Sequence, residues 1–179
     1  VMAFLSLALI ILVLMFIGQE GAILAVTAFI SALIHAIRMR RYHTRRILGD
    51  PMILILHVGY GWVIVGLLLL GVTALNILPF SISLHAFTVG AIGSMTLGMM
   101  CRLALAHTGR NLNATKLTVL IFALLQCAAF MRVFGLVIAP DITEQWLIGS
   151  AMLWALCFFL YILIYVPILW KPDLDERVA

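Results

Sequence analysis

Residues 51–73 read PMILILHVGYGWVIVGLLLLGVT, a stretch that contains no charged residue. About 20 consecutive apolar residues are enough to cross a bilayer as an α-helix, so this stretch by itself predicts a transmembrane helix. Five further stretches have the same apolar character, although the first is short. They are Met2–Ile17, Gly21–Ile37, Ser83–Ala106, Thr115–Ala139 and Trp146–Trp170. Together with Pro51–Thr73, they predict about six transmembrane helices.

The composition of the whole chain agrees with a membrane protein. Apolar residues make up 65% of the 179 residues and charged residues 10%, whereas about 45–50% and about 25% are usual in soluble domains. The net charge of +4 comes from 11 Lys and Arg spread along the chain. This distribution makes no nucleic-acid-binding face, so nucleic acid is excluded as a partner. The three Cys residues lie far apart in apolar runs, where packing explains them.

The connections between the apolar stretches are short and contain Gly, Pro, Asn and Asp. Short connections make consecutive helices antiparallel neighbours. In lipid, the backbone must be hydrogen-bonded internally, which an α-helix achieves within its own segment. We therefore predict an all-α fold, a polytopic transmembrane helical bundle that forms a single domain over residues 1–179 and has the lipid bilayer as its partner.

The basic residues outside the spans predict the orientation of the bundle. The loop Arg38–Arg46 contains five Arg, and Arg110, Lys116 and Lys171 fall in loops on the same predicted side. The loops on the other side carry only acidic charges. By the positive-inside rule, we expect the Arg-rich loop and both termini, including Ala179, to be cytoplasmic.

Several ionisable residues fall within the predicted spans, where each is costly and needs a reason. They are His35, His57, His85, Arg102, His107 and Arg132. Counting about 1.5 Å per helical residue places three His, from consecutive helices, in the cytoplasmic third of the membrane. The other pair, His85 and Arg132, falls in the outer half and is a candidate second polar centre. A single His near an interface can also simply bind a backbone carbonyl, and His43 in the Arg-rich loop is most simply solvated.

The fourth span has two distinct predicted faces. On an ideal helix, Gly90, Ser94 and Gly98 lie opposite His85 and His107. Small residues at this spacing favour close approach of another helix. The opposite, His-containing face also carries Thr96 and Met99, and methionine thioethers are soft ligands that suit copper.

Sequence signatures of soluble enzymes are missing, since the chain contains no GxSxG, Walker A, GxGxxG or HExxH pattern. No Asp or Glu falls within the six predicted spans, which argues against an ion-coupled transporter. Neutral imidazoles without acidic partners suit haem iron or copper better than proton transfer. The sequence assigns no catalytic residue and leaves open whether the protein is an enzyme.

One stretch resembles a known family. Residues 85–102 contain the pattern H-x-x-T-x-G-A-x-G-x-M-T-L-x-x-M-x-R, and residues 107–110 read HTGR. This combination is similar to the signature stretch of the NnrS family. The resemblance implies a bacterial inner-membrane protein that contains haem and copper and takes part in the response to nitric oxide. Members have roughly twice as many spans, so we expect this chain to be a C-terminal half.

The predicted cofactor site combines these observations. A haem between adjacent helices would take His57 and His107 as its ligands, with His35 in reserve, and Arg102 and Arg110 would meet its propionates. Copper is a second candidate cofactor. The candidate metal ligands are His57, His107, His85 and Met99, with His85 in a separate outer centre.

Two other functions remain open at this stage. The first is a b-type haem electron-transfer subunit, although the 22 residues from His85 to His107 do not fit the His spacing such a subunit requires. The second is a metal-free permease or scaffold in which the His residues only form hydrogen bonds. For the preferred function, nitric oxide is the expected ligand, and a second copy or an N-terminal half of the same protein is the expected protein partner.

Overall fold

The computed structural model of the chain describes residues 2–16, 21–41 and 47–171. Within these ranges the fold is all-helical and contains no strand, which confirms the predicted helical bundle. Six long helices follow one another, and the fifth and sixth are joined by a 3-10 turn, Pro140–Ile142. They are α1 (Met2–Phe16), α2 (Ala22–Arg40), α3 (Pro51–Ala74), α4 (Phe80–Ala106), α5 (Lys116–Ile138) and α6 (Thr143–Trp170).

Five of the six helices, α2 to α6, are long and apolar enough to cross a membrane. The remaining helix, α1, is apolar but has 15 residues. At 1.5 Å per residue it is about 22 Å long, which is shorter than the hydrocarbon core of about 30 Å. The structure therefore supports five spans and one shorter apolar helix, where the sequence predicted about six spans.

Side chains at the helix ends explain why two of the helices begin where they do. The Asp50 carboxylate accepts a hydrogen bond of 2.9 Å from the Met52 backbone N–H, and Pro51 occupies the first helical position of α3. The Thr115 hydroxyl accepts a hydrogen bond of 3.1 Å from the Thr118 backbone N–H at the start of α5. These caps satisfy N–H groups that have no partner within the helix.

Close contacts between α3 and α4 depend on small residues. A Cβ atom added to Gly90 would clash with the Trp62 ring, and one added to Gly98 would lie 2.7 Å from Ile55 Cγ2. On α3, a Cβ added to Gly59 would lie 2.9 Å from Met95 Cγ. The predicted small-residue face of α4 is therefore confirmed as the face that packs against α3.

A partly buried chain of polar side chains connects α3, α4 and α5. The Trp62 indole N–H donates to Gln126 Oε1 at 2.8 Å, and Gln126 Nε2 donates to Ser94 Oγ at 2.8 Å. Ser94 is fully buried. Because lipid offers no competing hydrogen bonds, these two bonds fix the three helices relative to one another.

The fourth helix is not a regular α-helix. Its first turns, Phe80–His85, are followed by the π-helical segment Ala86–Ile92 and then by the α-helix Gly93–Ala106. A π-helical segment has more residues per turn than an α-helix and changes the direction in which later side chains point. The single stripe predicted from His85 at a constant period is therefore wrong in one respect, because Met99 faces α3 whereas His85 faces α5 and α6.

Candidate cofactor and metal site

A cavity of about 380 Å³ lies between α3 and α4, beside Ile47, which precedes the first residue of α3 by four residues. Three of its seven lining residues, Ile47, Ile53 and Leu56, are aliphatic. Its lining residues with nitrogen, oxygen or sulfur in the side chain are His57, Tyr60, Met95 and Met99. These four residues of the α3–α4 cavity are ligand-bearing side chains that the structure brings to one place.

Helical spacing explains why these side chains face the same space. On α3, Tyr60 follows His57 by three residues, and on α4, Met99 follows Met95 by four, so each pair lies on one face of its helix. His57 is buried, whereas Met99 is 44% exposed. The cavity therefore extends from the interior of the bundle to its surface.

The chemistry of this set fits a soft or borderline metal. An imidazole nitrogen with thioether sulfur suits copper, and His and Met are also axial ligands of haem iron. The described residues contain no group of three or more His, Cys, Asp or Glu that could hold a metal ion. A metal in this cavity would therefore have one imidazole ligand, and any further ligand from the cavity lining would have to come from sulfur or the Tyr60 hydroxyl.

His35, the predicted reserve ligand, contacts the cavity through Tyr60. Its Nδ1 atom lies 2.7 Å from the Tyr60 hydroxyl oxygen, and the His35 ring is only 2% exposed. The Arg38 guanidinium lies 5.8 Å from the centre of the Tyr60 ring. These contacts fix the position of the Tyr60 hydroxyl at the cavity wall.

His107 lies elsewhere. It caps the C-terminal end of α4 and lines a separate cavity of about 230 Å³ with Met100, Tyr161 and Leu169. That cavity lies between α4 and α6, whereas His57 faces the cavity between α3 and α4. The structure therefore does not bring the predicted pair, His57 and His107, into one cavity.

The two predicted propionate-binding Arg residues have different surroundings. Arg110 donates to the backbone carbonyl of Ile168 at 3.3 Å and to that of Thr108 at 3.4 Å, so it holds the end of α6. Arg102 is half-buried and lies two helical turns beyond Met95 on the same face of α4. Of the two, Arg102 is the one that shares a face with the α3–α4 cavity.

The outer pair predicted from the sequence is brought together. His85 and Arg132 line a cavity of about 250 Å³ between α4, α5 and α6, together with Ser150 and Trp154. The structure therefore places the two residues at one cavity. The Arg132 guanidinium is close to His85, and like charges repel. His85 is therefore an unfavourable ligand for a metal cation.

Some predicted features fall on residues outside the described ranges. They are His43 with most of the Arg-rich loop and the terminal Ala179.

These observations define a class, namely a polytopic α-helical membrane protein with a His- and Met-lined cavity between two spans. Comparison with family models identifies the family, since the model described as NnrS protein matches residues 1–173, essentially the whole chain. The chain belongs to the NnrS family, which confirms the resemblance seen in residues 85–110. Family membership supports a general role in the response to nitric oxide. Comparisons with curated proteins and with solved structures give no match.

Proposed function

We propose that this NnrS-family chain binds haem in the α3–α4 cavity and senses or handles nitric oxide there. The observation that carries the proposal is the buried His57 imidazole, which lines a mainly apolar cavity together with two thioethers. A haem iron, when bound, would bind nitric oxide directly, and burial between helices would tune its reduction potential.

The dimensions and charges of the cavity support this proposal. Its volume of about 380 Å³ falls within the range of about 300–1,000 Å³ that cofactor pockets occupy. Two of its lining residues, Ile53 and Met99, are exposed at the bundle surface, so a planar group can extend outward between them. Arg38 and Arg102 lie on α2 and α4 towards the end of the bundle where α3 begins, and their charges suit propionates.

Each residue of the cavity has a role in this proposal. His57 supplies the nitrogen ligand, and Met95 or Met99 supplies a thioether on the α4 side. In the tautomer in which His35 Nδ1–H donates to the Tyr60 hydroxyl oxygen, 2.7 Å away, the Tyr60 O–H can donate a hydrogen bond to a small ligand in the cavity. His107 belongs to a different cavity and is not part of this site.

Copper is the second candidate occupant of the same cavity. It is favoured by one specific observation, that Met95 and Met99 both line the cavity wall together with His57. One imidazole with two thioethers is a ligand set that prefers Cu(I) to harder metals.

We also propose an orientation for the bundle in a bacterial inner membrane. Of the eight Lys and Arg in the described ranges, all but Arg132 lie towards the end where α2 and α6 finish and α5 begins, namely Arg38, Arg40, Arg41, Arg102, Arg110, Lys116 and Lys171. The opposite end carries Asp141 and Glu144. The positive-inside rule makes the basic end cytoplasmic, which places the α3–α4 cavity towards the cytoplasmic side.

Optical spectra and metal content of the full chain, purified from membranes in mild detergent, test the proposal. We expect a Soret band that shifts when nitric oxide or carbon monoxide is added to the reduced protein. A Soret band that neither gas shifts would instead indicate a closed electron-transfer haem. Copper without haem would support the second candidate, and a preparation without either would contradict both and leave the scaffold function.

A further inference from the structure

The cavity around His85 and Arg132 lies apart from the proposed haem site. It is bounded by α4, α5 and α6, and none of its lining residues lines the α3–α4 cavity. Arg132 precedes the end of α5 by six residues, which is about 9 Å along the helix. His85 and Arg132 therefore lie within the helices, several residues inward from the helix ends on this side of the bundle.

The positive charge of Arg132 has no acidic partner in the described part of the protein. Residues 80–138 contain no Asp or Glu. The nearest acidic residue along α6 is Glu144, which precedes the cavity residue Ser150 by six residues. No hydrogen bond or ion pair engages Arg132 within the described ranges. A guanidinium stays charged in any protein environment, so a ligand here must supply negative charge or strong acceptors.

An apolar groove continues from this cavity along α4. A second cavity of about 340 Å³ shares Val89 and Trp154 with it and extends past Ile92 and Thr96 on α4 to Phe158 on α6. From His85 to Thr96 there are eleven residues, about 16 Å of helix. The groove passes the π-helical segment Ala86–Ile92, and such segments are frequent at functional sites.

We propose that this groove binds one anionic phospholipid. The phosphate is bound by the Arg132 guanidinium and the His85 imidazole, and one acyl chain lies along the groove between α4 and α6. A cationic end and an apolar length match a molecule with an anionic head and a hydrocarbon tail. A small free anion would use Arg132 and His85 and leave the groove without a function.

Lipid retention by the purified full chain tests this proposal. The chain is reconstituted in phosphatidylcholine nanodiscs that contain a small fraction of phosphatidylglycerol, extracted in mild detergent, and analysed for bound lipid by mass spectrometry. We expect about one phosphatidylglycerol per chain. Arg132→Gln should lower this retention about tenfold, as expected for loss of a charge-assisted contact, and Arg132→Lys should lower it less.

Two further variants test the acyl-chain groove and the specificity for the charge of Arg132. Thr96→Phe fills the groove without removing a charge, and it should also reduce retention. Lys116→Gln removes one positive charge from the exposed start of α5 and should leave retention unchanged. Thermal melting of each variant verifies that it is folded.

Several results would overturn the proposal. One is equal retention by wild type and Arg132→Gln, which would mean that Arg132 reaches the interface without binding a specific lipid. Displacement of the lipid by inorganic phosphate would assign a small-anion site, and a retained quinone would assign a neutral ligand. Cross-linking of two copies through Thr96→Cys, without retained lipid, would make the groove a protein interface. A missing Soret band affects only the haem proposal, because the lipid readout is independent of haem.

Discussion

The two faces of α4 differ in how closely a neighbouring helix approaches. On one face, Gly90 and Gly98 allow side chains of α3 to contact the α4 backbone. On the other face, α4 and α6 are separated by the groove that runs past Ile92 and Thr96. The same helix therefore packs closely against α3, where it has glycines, and leaves an open groove towards α6, where its side chains are larger. The size of the α4 side chains accounts for the difference.

The same comparison separates the chemistry of the two cavities. The cavity on the α3 side has neutral nitrogen and sulfur ligands, from His57, Met95 and Met99. The cavity on the α6 side has a cation, Arg132, beside His85. Soft uncharged ligands suit a metal cofactor, whereas a guanidinium suits an anion.

The largest stability effect is expected on the tight face. Gly98→Leu should destabilise the protein by roughly 1–3 kcal/mol, because the added side chain must displace Ile55 and Leu56. Gly90→Leu should act in the same direction through Trp62. Thermal unfolding in detergent measures the effect.

The matched control for these two variants is Thr96→Leu, on the open face of α4. Thr96 is exposed, so the change should leave the melting temperature close to that of the wild type. Equal melting temperatures for Gly98→Leu and Thr96→Leu would show that the two faces do not differ.

A loss of stability of similar size is expected when the polar chain between three helices is broken. Gln126→Leu removes the acceptor of the buried Trp62 N–H and the donor to Ser94. Leaving a buried polar group unpaired costs about 1–3 kcal/mol. The neighbouring exposed residue gives a control, Cys127→Ser, which should be almost neutral. A Gln126→Leu variant as stable as this control would mean that the chain of hydrogen bonds does not hold the helices together.

The smallest effect is expected at Tyr60. Tyr60→Phe removes one hydrogen bond with His35, which is worth about 0.5–1.5 kcal/mol. The stretching frequency of carbon monoxide on the reduced protein should shift, because the hydroxyl no longer offers a hydrogen bond to the ligand. Tyr161→Phe, in the cavity of His107, should leave that frequency unchanged. A frequency that both variants leave unaltered would place the ligand outside the α3–α4 cavity.

Much of the fold follows from the sequence because apolar runs and turn residues mark the helices. The predicted span Pro51–Thr73 agrees within one residue with the helix Pro51–Ala74. The small-residue face of α4 was also predictable, since Gly90, Ser94 and Gly98 recur every four residues. The π-helical segment was not, because its residues, AFTVGAI, are also compatible with an ordinary α-helix.

The candidate site was predictable only in part. Counting residues places His57 and His107 at related depths, but depth along the membrane normal says nothing about which neighbours surround a helix. The sequence therefore predicts that the two residues share one site, whereas in the structure they line different cavities. Gln126 was missed because only ionisable residues were considered, although an uncharged amide inside a span is also costly to leave unpaired.

The most direct test of the account compares His57→Ala with His107→Ala in the same membranes. The Soret absorbance per milligram of purified, folded protein is measured for both variants and for His43→Ala, a change in the Arg-rich loop. If haem binds in the α3–α4 cavity, only His57→Ala should lose the band, whereas His107→Ala and His43→Ala should keep it. Full haem content in His57→Ala, or its loss in His107→Ala alone, would contradict the assignment of the α3–α4 cavity as the haem site.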